Sequence, residues 1–315
     1  MKNLAFVFPG QGSQAVGMLN DLYETYPQIQ HQFARASDVL NVDLFEMVAT
    51  DPRNQLNLTE FTQPALLTTS VAIWNLWKEK TKIRPKFMAG HSLGEYSALV
   101  CAGALDFEDA VLLTNKRGQY MQQAVPEGTG AMAAVLGLED DVVIELCQKA
   151  DASGNVSAAN FNSPGQVVIS GAKEAVEKAS ELAKELGAKR VMPLPVSVPS
   201  HCQLMQPAAE KLAEDLETIN IKSPEFPVIH NVDVLPHISP EKIKIALVEQ
   251  LYKSVKWSQT NQFLIDNNIK NIIECGPNKV LSGLAKRTNR SLNINSLNTT
   301  KGFEKALNTD SGAEQ

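Results

Sequence analysis

Two short apolar runs, each delivered directly into a glycine-bearing turn, constrain this chain more than any other feature. Residues 4–8 (LAFVF) lead into Pro9-Gly10-Gln11-Gly12-Ser13-Gln14, and residues 87–90 lead into His91-Ser92-Leu93-Gly94. Apolar side chains at every position, rather than every second one, mean that both faces of the strand are covered. The glycines and proline then stop the strand and turn the chain. Helical periodicity follows each turn, at 17–25 and 27–40 after the first and at 93–103 after the second, with further helices predicted over 62–80 and 107–124. Buried strands alternating with helices predict an α/β fold with a mostly parallel sheet covered on both faces.

The middle of the chain has a different order. Strand 131–136, helix 140–150, strands 156–160 and 166–171, helix 173–186 and strand 190–196 follow one another, the two central strands joined by Asn162-Ser163-Pro164-Gly165. This is βαββαβ, the ferredoxin-like unit. The α/β pattern then resumes with helix 203–217, strand 228–231, helices 240–252 and 259–267, strand 272–275 and helix 280–287. The expected organisation is a large α/β-hydrolase-like domain built from 1–127 and 198–307, with a small ferredoxin-like domain, 128–197, inserted into it. Residues 308–315 are small and polar and read as a disordered tail. A cleft between the two domains is where a ligand is expected.

Composition narrows the function classes. A chain of 315 residues that is 43% hydrophobic and 20% charged can bury a sizeable core. A formal net charge of -6 argues against non-specific nucleic-acid binding, which needs a basic surface. No apolar stretch approaches membrane-spanning length, and the run at 4–8 is too short for a signal peptide, so no membrane association is expected. Cys101, Cys147, Cys202 and Cys275 are scattered without a CxxC pair. They read as free thiols of a reducing, cytoplasmic compartment, with no metal site.

Gly90-His91-Ser92-Leu93-Gly94 matches G-x-S-x-G between a predicted strand and a predicted helix. There Ser92 would stand exposed on a tight turn at a helix N-terminus, with backbone N–H groups near enough to hold an oxyanion. The alternative is a glycine turn with an N-capping serine; the strand–helix context favours a nucleophile. Five histidines could serve as its base. His91 is adjacent and reads as a brace for the turn, His31 as a surface residue, and His230 and His237 lie at a strand end and in a loop. His201 sits in Pro199-Ser200-His201-Cys202, where prolines stiffen an extended segment at the domain junction. On its own it reads more readily as a satisfied structural histidine than as a base. Cys202 has no suggested base and reads as packing. Arg117 shares a helix face with Ala110, Leu113, Met121 and Ala124, so its guanidinium needs an anion. An internal ion pair and a ligand carboxylate both satisfy that requirement.

Taken together, Phe8-Pro9-Gly10-Gln11-Gly12-Ser13-Gln14, Gly90-His91-Ser92-Leu93-Gly94-Glu95-Tyr96, Arg117-Gly118 and Pro199-Ser200-His201-Cys202 resemble the malonyl-CoA:acyl carrier protein transacylases of bacterial type II fatty-acid synthesis. So do Asn160 with Gln166, His230-Asn231-Val232, Gln250-Leu251 and Glu274-Cys275-Gly276-Pro277, and the resemblance runs from residue 3 to about 305. It implies Ser92 as nucleophile, His201 as base, and the Gln250 backbone carbonyl as the group orienting that base. It implies Gln11 and Leu93 N–H groups as the oxyanion hole and Arg117 as the grip on the malonyl carboxylate. Gln63, Asn160 and Gln166 would complete the substrate site. The implied reaction is ping-pong transfer of malonyl from malonyl-CoA, through a malonyl-Ser92 ester, to the phosphopantetheine thiol of acyl carrier protein. It needs no cofactor or metal, and a monomer is expected. Ser254 and Asn278 depart from the family pattern, which often has proline and glycine there. Lys189-Arg190 and Lys286-Arg287 could dock an acidic carrier protein or be ordinary solvated charge. A serine hydrolase on the same turn would call for an acid partner to His201 and leave Arg117 idle, and a non-catalytic carrier-binding subunit would need no nucleophile.

Overall fold

The computed structural model describes residues 3–196 and 198–311. Strand β1 (Leu4–Phe8) is followed by α1 (Asn20–Thr25), α2 (Pro27–Leu40), α3 (Leu44–Ala49) and α4 (Thr59–Lys80). Then come β2 (Phe87–Gly90), α5 (Leu93–Cys101) and α6 (Phe107–Ala124). The middle segment contains β3 (Gly130–Leu136), α7 (Asp140–Ala150), β4 (Val156–Ser163), β5 (Gln166–Ala172), α8 (Lys173–Glu185) and β6 (Arg190–Pro193). After a 3-10 turn at Gln203–Met205 the chain forms α9 (Gln206–Thr218), β7 (Val228–Ile229), α10 (Pro240–Tyr252) and α11 (Trp257–Asp266). It ends with β8 (Asn271–Glu274), α12 (Val280–Thr288), β9 (Asn293–Ser296) and α13 (Thr300–Ser311).

The fold is α/β, with a parallel sheet and a separate antiparallel one. In the first, the order is β7-β2-β1-β8-β9 and every neighbouring pair is parallel. Alternation along β1 explains why it lies at the centre. Leu4, Phe6 and Phe8 enter one core layer, where Trp74 and Trp77 of α4 meet Phe6 edge-on at 5.0 and 5.5 Å. Ala5 and Val7 enter the opposite layer with Trp257 of α11 and Leu281 and Leu284 of α12. Burying a side chain such as Phe6 stabilises the fold by about 1.5–3 kcal/mol. Because β1 pairs Phe8 with Gly90 and Val7 with Glu274, the loops after β1, β2 and β8 emerge at the same edge of the sheet. That carboxyl edge is where open α/β sheets bind ligands.

The second sheet has the order β4-β5-β3-β6, antiparallel throughout. For a βαββαβ chain this is the ferredoxin-like arrangement, with the first and third strands central. One face packs Ala133, Val135 and Ile169 on Val143 and Leu146 of α7 and on Val176 and Ala179 of α8. The other face carries Met132, Ala134 and Val168, which form a cluster of their own. This sheet is tied to the large sheet's helices by residues 254–255: Val255 donates to the Ala159 carbonyl, Phe161 donates to that of Val255, and Ser254 Oγ donates to that of Ala158 at 2.7 Å. Ser254 thus bonds the loop between α10 and α11 to β4, a bond that a proline at this position could not make.

Several boundaries differ from the sequence reading. Helix α4 starts at Thr59 rather than residue 62, because Leu58 precedes it with no capping side chain to mark the start. Helix α3 lies outside the periodic segments, although it carries a local start signal: Asp43 caps it by accepting the Glu46 N–H at 2.8 Å. Strand β6 stops at Pro193, since Pro193 and Pro195 have no N–H to give a ladder. Strand β9 and helix α13 are additions to the expected elements; β9 is a polar edge strand, and α13 buries only Phe303 and Ala306 among its described side chains. Helix α13 runs to Ser311, so the expected tail from residue 308 begins as helix, and 312–315 lie outside the described residues. All four cysteines are free and buried. Among the described residues no helix is long and apolar enough to cross a membrane.

Candidate active site

The turn between β2 and α5 is forced by close contacts. A Cβ on Gly90 would lie 1.9 Å from the Gly94 carbonyl group, and one on Gly94 would lie 2.0 Å from the Phe8 carbonyl oxygen, so only glycine lets the turn wedge against the end of β1. Ser92 bears the strain of this sharp turn, with φ 51° and ψ −112°, a region that L-residues rarely occupy. Asn231, in the loop after β7, brackets it: its Oδ1 accepts the Ser92 N–H at 2.7 Å and its Nδ2 donates to the Gly90 carbonyl at 2.7 Å. The Ser92 side chain does not cap α5, so the capping alternative is not what the turn is for. Gly94 and Glu95 N–H groups are taken by the His91 and Ser92 carbonyls. Leu93, first in the helix, has no carbonyl one turn behind it to take its own N–H.

Ser92 Oγ lies 2.8 Å from His201 Nε2. His201 Nδ1 lies 2.7 Å from the Gln250 backbone oxygen, and its backbone N–H donates to the Leu251 carbonyl at 3.0 Å. The C-terminal turn of α10 therefore fixes both the ring and the main chain of His201, whose φ is 62°. Because the Gln250 oxygen can only accept, Nδ1 carries the hydrogen and Nε2 presents its lone pair to the Ser92 hydroxyl. Burial, reinforced by the Arg117 charge, pushes the His201 pKa down to about 3, so the ring is neutral at pH 7. The other histidines do not reach Ser92. His91 Nε2 pairs with Asn162 Oδ1 at 2.8 Å and braces the turn against β4, His31 is exposed, His230 pairs with Glu95, and His237 pairs with Asp233. Cys202 Sγ donates to the Pro199 carbonyl at 3.1 Å, and burial raises the pKa of its thiol.

Arg117 is 1% exposed and comes from the middle of α6. Nη1 donates to Gln63 Oε1 at 2.7 Å, Nη2 to Gln250 Oε1 at 3.0 Å, and Nη2 also lies 3.4 Å from Ser92 Oγ. Its guanidinium sits over the Tyr96 ring at 5.3 Å. Among the described residues no carboxylate lies within ion-pair distance of it. The internal ion pair that the sequence allowed is therefore absent: neutral amide oxygens hold the cation, and its Nε has no partner among the described residues. A buried guanidinium held this way is an anion site.

The two sheets and these loops enclose a cleft of about 610 Å³. Gln11, Ser92, Leu93, Arg117, Asn160 and His201 all line it, and Met132 and Val168 from the second face of the antiparallel sheet form its apolar wall. In the loop after β1, Ser13 donates to the Gly10 carbonyl and Gly12 to Gln14, turn bonds that do not use the Gln11 N–H. The Asn160 side-chain oxygen is buried without a partner among the described residues. Gln63 stands behind Arg117 rather than in the cleft. Gln166 is placed elsewhere: at the β4–β5 hairpin its oxygen meets Arg287 and Ser163, not the cleft, because the side chain leaves the strand end on the side of α12. Lys286 is engaged by the Arg290 and Leu292 carbonyls. Asn278 holds φ 62°, a conformation asparagine tolerates as glycine does, and its Nδ2 ties the first glycine loop by donating to the Ser13 carbonyl at 2.8 Å.

Three groups in this network had no assigned role in the sequence. Asn231 brackets the turn, Asn162 orients His91, and fully buried Glu95 takes hydrogen bonds from His230 Nδ1, the Asn231 N–H and Gln250 Nε2. Gln250 itself does more than its backbone carbonyl suggested, since its side-chain amide bridges Arg117 and Glu95 and also donates to the Ser92 carbonyl.

A serine on a strained strand–helix turn, a neutral imidazole held by a carbonyl and a buried anion site within 3.4 Å of the hydroxyl define an enzyme class that passes acidic acyl groups through serine. Comparison with known proteins agrees: residues 5–306 match the family described as acyl transferase domain, and the chain belongs to that family. The malonyl CoA-acyl carrier protein transacylase of Haemophilus influenzae is 55% identical over 96% of this chain and 97% of its own. The structure of the Coxiella burnetii malonyl CoA-acyl carrier protein transacylase superposes with a TM-score of 0.96 at 50% identity, covering 98% of this chain and 97% of the other. A malonyl-transacylase solved with its type II PKS acyl-carrier protein gives a TM-score of 0.96 at 52% identity, covering 98% and 100%.

Proposed function

We propose that this enzyme moves malonyl from malonyl-CoA to the phosphopantetheine thiol of an acyl carrier protein, supplying extender units for fatty-acid synthesis. The observation that carries this reading is Arg117, a buried cation with no carboxylate in contact among the described residues, next to the Ser92 hydroxyl. Malonyl differs from acetyl by a carboxylate, which a planar guanidinium can bind through two parallel hydrogen bonds. An acetyl group would leave that cation unsatisfied, so it is rejected by more than its missing contacts.

In the reaction, His201 Nε2 takes the Ser92 proton as Oγ attacks the thioester carbonyl. The N–H groups of Gln11 and Leu93 hold the oxyanion, and the Gln250 oxygen holds the imidazolium through Nδ1. The thiol of CoA leaves with the proton from Nε2, giving malonyl-Ser92. The carrier thiol then repeats the sequence in reverse. Because Arg117 is one cause of the low His201 pKa, a bound malonyl carboxylate that neutralises Arg117 also makes His201 a better base. Substrate recognition and base strength are thereby linked. We read the enzyme as a cofactor-free cytoplasmic monomer, for which four buried free thiols suit a reducing compartment.

Incubation with malonyl-CoA and no acceptor, followed by intact mass measurement, tests this. A malonyl adduct that is absent from Ser92→Ala, weak with acetyl-CoA and discharged by holo carrier protein is the expected result. Steady release of CoA and malonate without an adduct would make the protein a hydrolase instead.

A further inference from the structure

The mechanism makes no use of Glu95, although it is a fully buried carboxylate at the centre of the site's supporting layer. Its Oε1 takes the His230 Nδ1 hydrogen at 2.7 Å, and its Oε2 takes the Asn231 N–H at 3.0 Å and Gln250 Nε2 at 2.9 Å. The His230 Nε2 atom is buried without a partner among the described residues, a position that a neutral ring bears at lower cost than a charged one. Arg117 lies on the far side of the Gln250 amide, whose Oε1 accepts from Nη2 and whose Nε2 donates to Glu95.

We propose that Glu95 is the counter-charge of Arg117, acting across the Gln250 side-chain amide, and that this amide keeps the anion site open while the pair stays electrostatically matched. The geometry of the amide supports it. Nε2 of Gln250 faces two acceptors, the Glu95 carboxylate and the Ser92 carbonyl, so the amide cannot turn over without setting oxygen against oxygen. Its Oε1 is therefore held toward Arg117, 3.0 Å away. A carboxylate in direct contact would occupy the guanidinium edge that the substrate needs. One amide further back, it compensates the charge of the resting enzyme and leaves that edge free. Burial pushes the Arg117 pKa down, and Tyr96 and Glu95 act against that shift. Glu95 is thus a positioning residue that sets how strongly the site attracts an anion, and it rests on the reading of Arg117 as the carboxylate grip.

The test is a double-mutant cycle with Glu95→Gln and Arg117→Met, read by urea unfolding of the whole chain and by malonate binding. Glutamine keeps the shape and can still accept from Gln250, so the exchange removes charge with little change of packing. The expected result is that Glu95→Gln lowers the midpoint in the parent but raises it in the Arg117→Met background, because each charge is costly without the other. Malonate is expected to bind Glu95→Gln roughly three- to tenfold more tightly than the parent, and the gain to vanish with Arg117→Met. Equal losses of stability in both backgrounds would overturn the proposal and leave Glu95 as a brace for the turn. Should Glu95→Gln fail to fold, the double variant still decides: a folded double variant at least as stable as Arg117→Met supports the pairing, and an unfolded one overturns it. A parent protein that does not bind malonate would defeat the carboxylate reading, while the stability cycle would still judge the pairing.

Discussion

As the proposed carboxylate grip, Arg117 is expected to set the selectivity of the site through the absence of a carboxylate in contact with it among the described residues. Its Nη atoms hydrogen-bond to the Gln63 and Gln250 side-chain oxygens and the Ser92 hydroxyl, all uncharged, and its guanidinium lies over the Tyr96 ring. Two charge-assisted hydrogen bonds to a malonyl carboxylate are together worth about 3–6 kcal/mol. Arg117→Ala is therefore expected to lower kcat/KM for malonyl-CoA by about 10²–10⁴-fold while changing that for acetyl-CoA far less, as steady-state kinetics with both substrates will show. As the proposed base, His201 is expected to govern the acid side of the pH dependence. Its folded pKa, about 3, lies below the ordinary value of 6.5, so above pH 6.5 the ring is neutral in both folded and unfolded chains and contributes nothing to the pH slope. Between 6.5 and about 3 the unfolded chain binds a proton that the folded one does not, and stability falls as the pH falls. The acid limb of kcat/KM for the free enzyme is expected well below pH 6.5. A limb near that ordinary value, abolished in no His201 variant, would assign the base elsewhere.

Individual elements deliver these groups, and the turn between β2 and α5 tolerates the least change. A methyl on Gly94 would sit 2.0 Å from a backbone oxygen of β1, which cannot move without disturbing the central strand. Gly94→Ala is expected to cost about 3 kcal/mol or more, through overpacking against the central strand. Gly283, on an exposed part of α12 with nothing within 4 Å of the point a methyl would occupy, offers the contrast. There alanine is expected to add about 0.5–1 kcal/mol through helix propensity. Urea midpoints of the two variants make the comparison. The turn was legible from its glycines because close approach is written into residue type. Helix α3 was missed: Asp43 and Glu46 carry a local start signal, but six residues give too little periodicity to read.

On the scale of the whole molecule, the cleft exists because the antiparallel sheet is tied to the parallel one along β4. Ser254 and Val255 extend that strand's hydrogen bonding across the junction, and His91 meets Asn162 beside it. Removing the Ser254 hydroxyl costs one bond of about 1 kcal/mol. Ser254→Ala is expected to leave global stability nearly unchanged but to speed amide exchange at Phe161 and Val255 roughly fivefold, the signature of local opening. Exchange that accelerates everywhere would mean instead that the junction opens only with global unfolding.

Several features were determined by sequence alone. Residue type and period identified the buried strands, the βαββαβ order and the serine on its turn, because such features depend on neighbours a few positions away. The sequence also placed Arg117 on an apolar face, but periodicity reports which way a side chain points and not what it meets. Its partners, Gln63 and Gln250, lie 54 and 133 positions away. Only the tertiary structure could decide that they are amides rather than carboxylates, that Gln166 turns toward Arg287, and that Glu95 faces Arg117 across one amide. An ion pair and an anion site look identical along the chain, and they differ only in whether the packing of distant helices brings a carboxylate into contact or holds it one group away.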